Sequence, residues 1–172
     1  MKAVVVYESL WGNTAAIARA IAEGIGSEAR AMSTAEATEA AIAGADLIVA
    51  GSPVIAFSLP TEQMRESIRT NPGNAPAPPD LSHPSMRSWL EGLPKGQGRS
   101  AAFETGLRFS PGGATRAIGE GLERAGYREI TKGERFIVKG RYGPLREGEV
   151  ERARRWGARL TQAVGLPDGG RG

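Results

Sequence analysis

The run Ala3-Val4-Val5-Val6-Tyr7 passes through a short polar loop into an alanine-isoleucine segment, and this junction limits the possible folds more than any other feature. A β-branched run with no polar alternation suits a central parallel strand covered by helices on both faces. Helical period follows over about 13–26, where Ile17, Ile21 and Ile25 recur every four residues and Gly24 and Gly26 close the segment. The alternation then repeats. A weak strand is expected at 29–32, strong ones at 47–50 and 100–103, and a last one around 136–138. Helices are expected at 61–70, 86–93, 114–125 and 150–164. Ser33 and Glu36 have the spacing of a capping box, which predicts a short alanine-rich helix starting there. Five prolines in 72–84 preclude regular structure, so this stretch reads as a long surface excursion, with His83 as a solvated loop histidine. The pattern is that of an α/β domain over 1–166, a three-layer sandwich around a five-stranded parallel sheet. The glycine-rich tail at 167–172 is expected to be mobile.

Composition narrows the chemistry. A chain of 172 residues, 40% hydrophobic and 24% charged, has the make-up of one ordinary globular domain. The lack of cysteine excludes disulfides, thiolate metal sites and a cysteine nucleophile, so redox chemistry would have to come from a bound cofactor. With one histidine, a histidine-rich metal cluster is excluded and a serine triad would depend on His83 alone. No metal ligands and no catalytic side chain are predicted. The apolar run at 3–7 is too short to cross a membrane or direct export, which places the chain in the cytoplasm by expectation. The net charge of +3 raises the question of nucleic acid, but the basic residues are scattered. They concentrate only over 152–159, behind Glu147, Glu149 and Glu151, an order that suits a helix dipole.

The loop Ser9-Leu10-Trp11-Gly12-Asn13-Thr14 carries the strongest chemical signal. A loop leaving the carboxyl end of a central strand and opening a helix presents unpaired N–H groups and the positive end of the helix dipole, which together attract phosphate. Ser9 and Thr14 add hydroxyl donors, Gly12 permits close backbone approach, and Asn13 can cap the helix or bond an oxygen. The loop contains no lysine or arginine, so it is not a Walker A sequence, and it lacks the three-glycine dinucleotide fingerprint.

The segment from Val5 to Ala18, with this loop at its centre, resembles the phosphate loop of flavodoxins at every restricted position, and its Trp-Gly-Asn-Thr wording resembles the flavodoxin modules of flavodiiron proteins. The resemblance covers nearly the whole chain and implies the strand order 2-1-3-4-5, with FMN bound at the switch point between the first and third strands, an arrangement for which flavodoxin is itself a standard example. It further implies that Ser52, Pro53, Val54, Ile55 and Ala56 flank the flavin ring, and that the loop Glu104, Thr105, Gly106 through Phe109 to Gly113 forms the third contact. Trp11 and Phe109 are the aromatics to expect near the flavin faces, though a loop phenylalanine can equally pack on its own scaffold. Arg108 lies either near the pyrimidine edge or free on the surface. Glu104 either accepts a hydrogen bond from the ring or caps the following loop.

Departures from the family pattern also carry information. Between Ser52 and Pro60 there is no glycine, tyrosine or tryptophan, so a peptide flip at 54–56 would place a side-chain-bearing residue at positive φ, at a cost on the order of 1 kcal/mol. One-electron-reduced flavin is therefore expected to be less stabilised than in a typical carrier. Flavodoxins are usually acidic, whereas this chain is basic, so a redox partner protein is expected to be acidic or only weakly steered; a small-molecule electron acceptor is the other expected partner. The expected protein is a monomer or homodimer. The alternative is a flavodoxin-fold binding module with weakened or lost flavin binding.

Overall fold

A computed structural model describes residues 1–165, so the expectation of a mobile tail at 167–172 lies outside the described residues. β1 (Ala3–Tyr7) runs parallel to β2 (Ala29–Ser33) on one side and to β3 (Leu47–Pro53) on the other. β4 (Arg99–Gly106) follows β3. The fifth position is divided: β5 (Arg128–Glu129) pairs with Arg99 and Ser100, and β6 (Glu134–Ile137) pairs with the Phe103 to Gly106 end of β4. The order β2-β1-β3-β4-β5, with β6 also on β4, is the expected 2-1-3-4-5 arrangement with its last strand broken in two. The first fragment has no apolar residue, so no strand signal marks it.

β1 shows why the sheet is buried on both faces. Val4 and Val6 face a cluster with Ile42, Leu90, Ile118 and Leu122, which belong to α2 (Glu39–Ile42), α4 (Met86–Glu91) and α5 (Thr115–Arg124). Ala3 and Val5 face Ile17, Ile21, Trp156 and Leu160 from α1 (Asn13–Ile25) and α6 (Glu149–Val164). α3 (Glu62–Thr70) reaches under β1's exit loop with Arg65. α1 and α6 meet backbone against backbone: a Cβ on Gly157 would lie 2.2 Å from the Ile21 carbonyl oxygen, and one on Gly24 only 2.0 Å from that of Arg154. No helix among the described residues is long and apolar enough to cross a membrane.

Two local expectations need correction. The Ser33–Glu36 capping box forms, with the Ser33 N–H bonded to Glu36 Oε2 at 2.7 Å, but it closes a turn. The helix starts later, where the Thr38 side chain accepts from the Ala41 N–H. β4 also outruns its apolar core: Glu104, Thr105 and Gly106 are strand residues rather than loop, because they pair with Arg135, Phe136 and Ile137.

The acidic start of α6 does more than suit a dipole. Glu149 is buried, and its carboxylate takes the Ile137 N–H at 2.7 Å, Arg146 at 2.8 Å and Arg152 at 2.8 Å. Burial alone would raise its pKa, but the bonds from Arg152, Ile137 and Arg146 outweigh it and bring the carboxyl down to about 2. With the folded value below the unfolded one, the unfolded chain binds more protons between them. The resulting stability, about 3 kcal/mol at neutral pH, is expected to fade as pH drops from about 4.5 toward 2. Urea titrations across that range should show this loss, and Glu149→Gln should flatten it.

Candidate functional site

The phosphate-type loop is built by one backbone turn. Gly12 caps α1 at φ +95, a conformation side chains disfavour, and its carbonyl receives the first helical bond, from the Ala16 N–H at 3.0 Å. The N–H groups of Asn13, Thr14 and Ala15 precede that bond and have no partner within the helix. Two hydroxyls join them. Ser9 Oγ accepts from the Gly12 N–H at 3.1 Å and keeps its own hydrogen to donate. Thr14 and Thr105 share a bond at 2.8 Å, which uses one hydroxyl hydrogen of the pair and leaves the other.

Beneath the loop lies a buried polar frame. Glu8 is fully buried and accepts from Arg65 Nη1 at 3.0 Å and from the Met86 N–H at 3.0 Å. Burial pushes its carboxyl above the usual carboxylate range, against the lowering pull of Met86 and Arg65. The other arm of Arg65 donates to the His83 carbonyl at 2.6 Å. His83 itself corrects the sequence reading, being 6% exposed rather than solvated. Its Nε2 accepts from the Ser9 N–H at 3.2 Å, which assigns the ring proton to Nδ1, 3.7 Å from Asp80. Burial, opposed by Asp80 and aided by Arg65, holds the imidazole below the usual histidine range, so it stays a neutral acceptor.

The proline-rich excursion is therefore strapped to the loop. Besides His83, the Asp80 N–H donates to the Leu10 carbonyl at 2.8 Å, and the Trp11 indole N–H donates to the Ala77 carbonyl at 3.1 Å. From the opposite side, Asn13 Nδ2 donates to the Tyr142 carbonyl at 3.1 Å, and the Trp11 and Tyr142 rings meet edge to face with centroids 4.7 Å apart.

Above these groups opens a cavity of about 440 Å³. Ser9, Asn13, Thr14 and Thr105 give it a polar end, and Leu10 and Trp11 also line it. Pro53, Val54, Ile55, Ala56 and Gly106 form a largely apolar slot. Gly12, Ser52, Glu104, Phe109 and Gly113 are outside the wall. Ser52 is buried in β3, and Glu104 serves as a cap, taking the Ala114 and Thr115 N–H groups at 2.5 and 2.9 Å together with Arg135 at 2.6 Å. Phe109 is 87% exposed with Arg108 stacked on it at 5.1 Å, and Gly113 is spent on the Phe57 carbonyl, to which its N–H donates at 3.0 Å. Positive φ, which the sequence reading counts only as the cost of a peptide flip, is already present at two residues: Ala56 (+46) and Phe57 (+67) form a two-residue turn closed by paired bonds between Ile55 and Ser58. Both side chains sit in a backbone region that L residues rarely adopt, as a two-residue turn of this kind requires.

No protein-family model and no curated protein matches the sequence. The backbone, however, matches a flavodoxin from the domain Archaea with a TM-score of 0.66 at 21% identity, over 96% of this chain and 100% of that one. The chain has a flavodoxin-like fold. Flavodoxin 1 from Bacillus cereus matches at 0.62 and 18% identity over 97% of this chain and 100% of its own. Rubredoxin:oxygen oxidoreductase from Desulfovibrio gigas matches at 0.60 and 19% identity, with 95% of this chain covering 36% of that protein. The cavity wall also holds Val138 and Arg141, which the sequence reading missed, and Phe57, Leu107 and Ser110, which lie in the loops it singled out but were not named as contacts. Phe57 was within the loop singled out and is aromatic, so that signal was available. Nothing local in the sequence brings Val138 and Arg141 to the cavity: Val138 arrives beside β4, its N–H donating to the Gly106 carbonyl at 3.1 Å, and Arg141 arrives with the loop that docks Tyr142 on Asn13 and Trp11.

Proposed function

We propose that the chain binds FMN non-covalently and acts as a redox flavoprotein, as an electron carrier or a small oxidoreductase. One observation supports this above the others: a single cavity in a flavodoxin-like fold joins a nest of amides and hydroxyls to an apolar slot, the two ends that a phosphorylated planar ring requires. When bound, the flavin supplies the electron transfer, and the protein's residues position the ring and shield it. Ser9, Asn13 and Thr14 would hold the phosphate, and Pro53, Val54 and Ile55 would face the ring.

The cavity mouth favours a protein acceptor of acidic character. Phe57 is 61%, Leu107 45% and Phe109 87% exposed, and all lie at this end of the sheet, as do the exposed cations Arg108 and Lys139. Arg135 fixes this lip, donating to Glu104 at 2.6 Å and to the carbonyls of Leu107, Ser110 and Gly112 at 2.8 to 3.0 Å. The deciding experiment is titration with FMN and riboflavin, followed by flavin fluorescence. Saturable binding that favours FMN supports the reading, while a protein that binds neither would be the flavin-free binding module instead.

A further inference from the structure

We propose that Arg141 is the cation of the phosphate subsite and sets the preference of the cavity for a phosphorylated flavin, an assignment that rests on the FMN reading above. A phosphate monoester carries about −1.5 to −2 charges at neutral pH, whereas a helix N-terminus offers roughly +0.5. The loop at 9–14 contains no basic residue, so its dipole and hydroxyls leave much of that charge unmatched.

Arg141 lines the same cavity as Ser9, Asn13 and Thr14. Its backbone is fixed there by neighbours on either side of the phosphate loop. The Tyr142 carbonyl is held by Asn13, the Tyr142 ring packs on Trp11, and the Tyr142 hydroxyl donates to the Pro72 carbonyl at 2.9 Å. Gly143, at φ +103, lets the chain come so close that a Cβ would sit 2.7 Å from the Asn13 amide group. The loop at 140–143 is thus docked on the residues that would meet the ligand.

The guanidinium is also uncommitted. It lies 5.5 Å from the centre of the Tyr142 ring and, among the described residues, makes no hydrogen bond or ion pair. Three other arginines on the same side of the fold are taken: Arg135 by Glu104 at 2.6 Å, and Arg146 and Arg152 by Glu149 at 2.8 Å each. A planar fork resting on an aromatic face suits two-point recognition of phosphate oxygens, which a lysine ammonium cannot reproduce.

Titrations of Arg141→Gln and Arg141→Lys with FMN and with riboflavin test this assignment. Arg141→Gln is expected to weaken FMN by about tenfold or more while riboflavin stays within about twofold, and Arg141→Lys should fall between. Added salt should weaken FMN binding to the wild type more than to Arg141→Gln. Unchanged FMN affinity in Arg141→Gln would overturn the assignment, as would equal losses for both ligands, which would instead mark a packing role for the Tyr142 loop. If the wild type binds neither flavin, the FMN reading fails and takes the assignment with it. If it binds both and only the variants behave alike, the reading stands and Arg141 alone is removed from it.

Discussion

Replacing Ser9 and Thr14 together by alanine is expected to cut FMN affinity by about a hundredfold and to leave riboflavin affinity nearly unchanged. These two side chains are the hydroxyl donors of the phosphate loop: Ser9 only accepts from Gly12 and keeps its hydrogen, and the Thr14–Thr105 pair uses one of its two hydrogens and leaves the other to donate. A hydrogen bond to a charged oxygen contributes about 1.5–3 kcal/mol, so two of them reach the expected loss. Fluorescence titration with both flavins measures it, and a melting curve of each variant separates binding from folding. Equal affinities for FMN and riboflavin in the wild type would show that no phosphate is held there.

Arg65→Leu should be the most destabilising single change in the frame under the site, by about 3–5 kcal/mol. It would leave the carboxylate of Glu8 buried without its cation, and it would also release the His83 carbonyl that the same guanidinium holds at 2.6 Å. The double variant Glu8→Leu with Arg65→Leu should recover part of that stability, because removing both charges also removes the cost of burying one alone. Urea unfolding of the three proteins decides the matter. If Arg65→Leu unfolds like the wild type, the pair is not a support of the loop.

The strand-to-helix junction and its phosphate-type loop were legible in sequence from local chemistry, a β-branched run followed by an unpaired helix start, whereas the sheet order and the wall at 53–56 followed from the resemblance to flavodoxins. The frame beneath was not legible. Glu8 reads only as the end of an apolar run, and His83 is surrounded by prolines and serines that signal a surface turn. Their burial comes from the meeting of β1, α3 and the 72–84 segment, far apart along the chain. Arg141 escaped detection for the same reason, since the bond that docks its loop, from Asn13 to the Tyr142 carbonyl, spans more than a hundred residues. The broken fifth strand was hidden because Arg128 and Glu129 are both exposed and charged, so no apolar residue marks the fragment.

The proline-rich strap has a thermodynamic consequence. Prolines surrender little freedom when a segment becomes fixed, and here they flank Ala77, Asp80 and His83, each hydrogen-bonded to the loop. Such a cradle is organised in advance, so a guest entering it spends almost nothing on immobilising its host. Calorimetry of flavin uptake should then give a heat-capacity change set by the ring surface withdrawn from water, with no added signature of coupled folding.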